Sequence, residues 1–176
     1  MPIPYEEAEH IFAAPKRLLV PPGWDSGSRA GKSHSSLECR VQMDGAAIPR
    51  GVFFRIITYP EHLNSLTFQL DCERPEVRAH VELYRLELNP LRQHLNKMYG
   101  TIQISGLYFA PGETHEHDFH DSLTLEGNLR TKSCDQARPV VDPPKEFATA
   151  LARVCSRINI VNGGDVPFPR TQGSLF

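Results

Sequence analysis

The chain has 176 residues, a net charge of −2, 40% hydrophobic and 23% charged residues. That length carries one domain with its own core, without metal or disulfide staples, and the near-neutral charge excludes a global pull toward nucleic acid. No long apolar run suggests a membrane span, and Met1–Phe12 lacks the basic start and apolar stretch of a secretory leader, so a cytoplasmic protein is expected. The four cysteines, Cys39, Cys72, Cys134 and Cys155, are too far apart for a C-x-x-C zinc or redox motif and are expected as reduced thiols.

Pro4–Ala13 predicts a short helix: Glu6 and Glu7 lie near its positive end, Tyr5, Ala8, Ile11 and Phe12 share one face, and Pro15 ends it. Residues 21–36 are rich in Gly and Ser and read as a mobile loop. Gly31-Lys-Ser33 within it is not a phosphate-binding loop, because Ser26 stands where the first glycine is required. In that loop Trp24 reads either as a lid or as an anchor pinning it to the core.

Leu37–Met43 alternates apolar and polar residues and predicts a half-buried strand; Gly51–Thr58 and Leu66–Cys72 predict two more. Arg78–Leu88 predicts a fourth. There Ala79, Val81 and Leu83 keep one phase while Tyr84, Leu86 and Leu88 keep the other, so a bulge is expected near Leu83–Tyr84. A polar connection over 90–100 carries His94 and Asn96; Thr101–Phe109 gives a further strand or two, and His115–Leu125 the last. Asp142 is expected to cap a helix with Pro143 at its first position and Phe147, Ala150, Leu151, Val154 and Ile158 on its apolar stripe.

Strands in the middle and helices at the ends predict an α+β fold: a mainly antiparallel sheet of five to six strands packed by N-terminal and C-terminal helices. Residues 1–162 form the domain, and residues 163–176 read as a partly disordered tail.

The chemistry concentrates in Glu113-Thr-His-Glu-His-Asp-Phe-His-Asp121. On a strand, His115, His117 and Asp121 project from one face and His120 from the other; neighbours at i and i+2 are roughly 6.5–7 Å apart, so two imidazoles there can converge on one metal. Zinc or manganese would need further ligands, for which Asp121 and His94 are the candidates, with His80 or Glu82 as other donors. Without a metal, the same histidines can act as acids or bases on a phosphodiester, given cations such as Arg85, Arg92, Lys97 or Arg130 to hold the phosphate. The plain alternative is an exposed strand whose polar face happens to be rich in histidine. Arg85, Glu87 and Asn89 alternate on one polar face and read either as the floor of a site or as a surface ladder of ion pairs.

Tyr84-Arg-Leu-Glu-Leu-Asn89, His94-Leu-Asn96, His115-Glu-His117 and Ile158-Asn-Ile160 resemble a group of small bacterial and phage-associated proteins of unknown function. These share an R-L-x-x-N strand, an H-x-N loop, an H-x-H strand and a C-terminal helix. The likeness spans residues 66–160 and departs from the pattern in a longer loop after Asn96 and in a third histidine, His120. It implies the element order and a grouping of Arg85, His94, His115 and His117, and brings no established activity.

Two functions stay open. One is a hydrolase of a phosphodiester or phosphate ester, with His94, His115 and His117 as metal ligands or acid–base groups and Arg85 steadying the anion. The other is a non-catalytic interaction protein of phage or mobile-element origin, binding a host protein or a small ligand.

Overall fold

The computed structural model describes residues 3–21, 23–29, 32–43, 51–74, 79–98, 103–123 and 134–169. Helix α1 (Tyr5–Ala13) is followed by strands β1 (Lys16–Leu19), β2 (Asp25–Arg29), β3 (Lys32–Met43), β4 (Val52–Tyr59), β5 (His62–Arg74) and β6 (Ala79–Leu88). Next come the two-residue strands β7 (His94–Leu95) and β8 (Tyr108–Phe109), then β9 (His115–Asp118), β10 (Ala137–Pro139) and helix α2 (Phe147–Arg157).

The main sheet is antiparallel in the order β1-β3-β4-β5-β6-β9-β10, with β2 also paired to β3, and β7 and β8 form a separate small sheet. The α+β architecture is as expected, but the sheet has eight strands, not five to six. The difference lies in segments without apolar periodicity. Residues expected as a loop pair backbone to backbone, Asp25 with Ser36 and Gly27 with His34, and form a hairpin that buries little. β1 and β10 are too short to show a period. Trp24 anchors this region: its indole N–H donates to the Pro167 carbonyl at 3.0 Å.

One face of the sheet carries the core. Phe54, Leu70 and Tyr84 are opposite one another on β4, β5 and β6, as are Ile56, Phe68 and Leu86, and all six are fully buried. Ala8, Ile11 and Phe12 of α1 join the same core as Phe147, Ala150, Leu151 and Val154 of α2. At about 25 cal/mol per Å² of apolar surface, this shared core is the main driving force for holding both helices to the sheet. The bulge is where the phase change predicted it: Leu70 faces Tyr84 while Asp71 faces Glu82, so Leu83 is the extra residue, and both Leu83 and Tyr84 turn into the core.

Lys16 sits where the two helices end. It is 1% exposed, and its ammonium donates to the carbonyls of Phe12, Ala14 and Ile158, each at 2.7 Å. All three of its donors are satisfied by backbone oxygens that the helix ends leave open.

Three boundaries differ from expectation. β9 stops at Asp118, whose carboxylate accepts from the His120 N–H at 3.1 Å and caps a 3-10 turn over Phe119–Ser122. Helix α2 begins at Phe147, because Asp142 is left-handed (φ 50°) and Pro144 disfavours the helical region for Pro143. Beyond residue 162 the chain forms a 3-10 turn, Gly163–Asp165, and buries Val166, tied down by Asn162, which exchanges hydrogen bonds with the Leu18 backbone at 2.7 and 3.0 Å. Residues 170–176 of the expected tail lie outside the described residues. Among the described residues no helix is long and apolar enough to cross a membrane.

Candidate metal centre

The sheet face away from the helices is polar. Cross-strand register sets Arg85 of β6 opposite His117 of β9, and Glu87 opposite His115. Such pairs bring Cβ atoms to about 5 Å, so these four side chains form one square patch. His94 is delivered from outside the sheet. It pairs with Phe109 across β7 and β8, and the Phe109 ring lies 4.7 Å from the ring of His115.

The three imidazoles converge. Ring centroids are 5.3 Å apart for His94–His115, 4.8 Å for His94–His117 and 5.1 Å for His115–His117. One ligand nitrogen from each lies within 4.8 Å of the others, so the group can hold a metal ion. His115 and His117 are fully buried; the patch meets solvent through half-buried His94 and through Glu87 and Arg85.

Hydrogen bonds assign the free nitrogens. His115 Nδ1–H donates to the Glu113 carbonyl at 2.7 Å, leaving Nε2 buried and without a hydrogen-bond partner. Asn96 settles His94. Its amide nitrogen donates to the carbonyls of Ile104 and Ala137 at 2.7 and 2.8 Å, and its Oδ1 accepts the Ala137 N–H at 2.7 Å. Oδ1 is thus the acceptor for His94 Nε2–H at 2.9 Å, and His94 keeps a bare Nδ1. Fixing one ring nitrogen on a protein acceptor is how metal-binding histidines are oriented.

Burial first, then the neighbouring Arg85 charge, push the His117 imidazolium form well down; burial also lowers His94, against the hydrogen bond to Asn96. Neutral imidazole is the form that offers a lone pair. Arg85 is tightly held: Nη2 is 2.9 Å from His117 Nε2, Nη1 donates to Glu82 at 3.0 Å, and Nε is 2.8 Å from Glu87. Glu82 also accepts the Cys134 N–H at 3.2 Å, and burial raises its pKa to about 7.

Asp121, expected as a ligand on the His115–His117 face, is not part of the group. The 3-10 turn carries it out of the strand, and its buried carboxylate pairs with Arg138. His120 lies on the helix side, between Asp118 at 2.5 Å and Glu9 at 2.6 Å. His80 sits further along the polar face, 3.5 Å from Arg55. Asn89 is a left-handed strand end bonded to Asn64, Arg92 is exposed, Lys97 pairs with Asp135, and position 130 is outside the described residues. What the sequence reading left unassigned is the latch formed by Asn96 and the position of Glu87. The H-x-N spacing is a visible signal for the first; for Glu87 the sequence leaves open the floor of a site and a rung of an ion-pair ladder.

A groove of about 590 Å³ has Phe109, Glu113, Thr114 and Lys145 among its lining residues; Phe109 also contacts the ring of His115, but none of His94, His115, His117, Arg85 and Glu87 lines it. Comparison with known proteins finds no matching family model, no matching curated protein and no matching solved structure.

Proposed function

We propose that His94, His115 and His117 bind a divalent metal, zinc or manganese, and that the protein is a hydrolase of a phosphodiester or phosphate ester. The observation that carries this reading is the convergence of three imidazoles from two chain segments, two of them with the far nitrogen fixed on a protein acceptor. Such a metal supplies Lewis-acid polarisation of a phosphoryl oxygen and a more acidic water. Arg85, alongside His117, offers positive charge where the phosphoryl group gains negative charge.

The test is metal analysis of purified protein and of a His115→Ala/His117→Ala variant, with hydrolysis of bis(p-nitrophenyl) phosphate and p-nitrophenyl phosphate measured with zinc and with manganese. The expected result is bound metal and turnover in the first and neither in the second. Equal metal content in both would sink the reading.

One observation favours the non-catalytic alternative. Leu95 (62% exposed), Met98 (85%) and Tyr108 (54%) present apolar surface on and beside the small sheet, which suits a protein partner. Metal that binds, raises the melting temperature and supports no hydrolysis of either ester would favour that alternative, with the metal then structural.

A further inference from the structure

Resting on the metal reading, we propose that Glu87 is the fourth protein ligand, making the centre one of three imidazoles and one carboxylate. Glu87 Oε2 lies 3.6 Å from His115 Nε2 and Oε1 lies 4.0 Å from His117 Nε2. Ligands about 2.0–2.1 Å from a tetrahedral ion are roughly 3.3 Å from one another, so Glu87 Oε2 and His115 Nε2 are within a few tenths of an ångström of bonding geometry, while the separation from His117 is longer. Glu87 stands outside the set of ligand atoms that lie within 4.8 Å of one another, so its carboxylate has to close in on the three histidines when the ion binds.

His115 Nε2 is bare because Nδ1 holds the proton, and it is buried with no hydrogen-bond partner. A carboxylate oxygen opposite it is another acceptor. At 3.6 Å the pair is too long for a shared proton, and two lone pairs pointing at one another are stabilised by a cation between them.

Three neutral imidazoles would leave a dication uncompensated beside the Arg85 guanidinium, which lies 2.9 Å from His117. Glu87 offsets one unit where it is needed. Arg85 Nε lies 2.8 Å from Glu87 Oε1, and Oε2 is the oxygen nearer His115. A carboxylate among imidazoles also makes the donor set harder, which suits manganese as well as zinc.

The experiment titrates Mn²⁺ and Co²⁺ into the full chain, comparing wild type, Glu87→Gln and His115→Ala/His117→Ala by calorimetry, with the visible spectrum of the Co²⁺ forms as a second readout. Glu87→Gln is expected to bind at least about 10-fold more weakly, with a changed Co²⁺ spectrum and a metal-free melting temperature close to wild type. Binding by wild type and Glu87→Gln with equal affinity and the same spectrum overturns the assignment of Glu87 and leaves the three-histidine site standing. Absence of binding in wild type overturns both readings. Should Glu87→Gln not fold, Glu87→Asp keeps the charge and shortens the reach; unchanged affinity and spectrum in that variant likewise overturn the proposal.

Discussion

Asn96 Oδ1 accepts two hydrogen bonds at once, from His94 Nε2 at 2.9 Å and from the Ala137 N–H at 2.7 Å. Ala137 is the register partner of His117, so one buried amide ties the segment carrying His94 to β10, the neighbour of the strand carrying His117. Asn96→Leu removes four buried hydrogen bonds and leaves backbone groups unpaired, a cost of about 3 kcal/mol or more. It also frees the His94 tautomer, so metal affinity is expected to fall about 10- to 100-fold. Urea unfolding and metal titration of the same sample check the two parts.

Arg85 separates binding from turnover. Arg85→Gln removes a positive charge beside the metal, so metal affinity should hold or rise. Phosphate-ester hydrolysis should fall by about 100-fold, as expected for loss of one group that stabilises transition-state charge. Loss of metal together with activity would show that Arg85 only holds Glu87 and His117 in place. A circular-dichroism melt guards against the cost of leaving Glu82 unpaired.

Glu82 sets a pH dependence of stability. Burial lifts its pKa from 4.5 to about 7, so between those values the folded chain keeps a proton that the unfolded chain has released. Stability therefore falls as pH rises through this window, by an amount on the order of 3 kcal/mol. Glu82→Gln has no proton to lose, and its denaturation midpoint should vary less between about pH 4.5 and 7 than that of wild type.

His120 acts in the opposite sense on the helix face. Hydrogen bonding to Asp118 raises its pKa above 6.5 against the cost of burial, with Glu9 adding to the rise. That contribution is complete below pH 6.5 and is lost as pH rises through the folded value. Burial alone would raise Asp118, but hydrogen bonds from His120 and the His120 and Arg157 charges bring it below 3.8; its share is present above that value and lost as pH falls through the lowered one. The melting-temperature gap between wild type and His120→Gln should be larger near about pH 5 than near about pH 9.

Lys16→Met tests the joint between the helices. Three charge-assisted hydrogen bonds vanish and the carbonyls of Phe12, Ala14 and Ile158 lose that donor, for a loss of about 3 kcal/mol or more in denaturant unfolding.

Alternation in β3 to β5 made the central strands readable, because one face is buried and the other is not. The α2 stripe was readable for the same reason, and the broken phase at Leu83 betrayed the bulge. The hairpin over residues 25–36 was not readable: Ser and Gly pair through their backbones and leave no apolar pattern. Asp121 misled because strand phase was carried past Asp118, where a side-chain cap turns the chain instead. Glu87 was ambiguous in principle, since a carboxylate alternating with Arg85 looks the same in an ion-pair ladder as beside three histidines. Only the register with β9 tells them apart.

The extra residue at position 83 works as a phase inverter. Glu82 and Arg85 are three apart, a spacing that in a regular strand sends side chains to opposite faces, yet here they join in an ion pair. Downstream of Leu83 the strand is in step with the histidines of β9; upstream it is in step with Asp71 of β5. A regular strand of the same residues, with no bulge at Leu83, would keep Arg85 and Glu87 beside the histidines only by turning Glu82 into the core. The chemistry of the patch thus depends on a residue count as much as on residue identity, and single-residue insertions or deletions in β6 away from the Leu83–Tyr84 bulge should be tolerated far less than substitutions there.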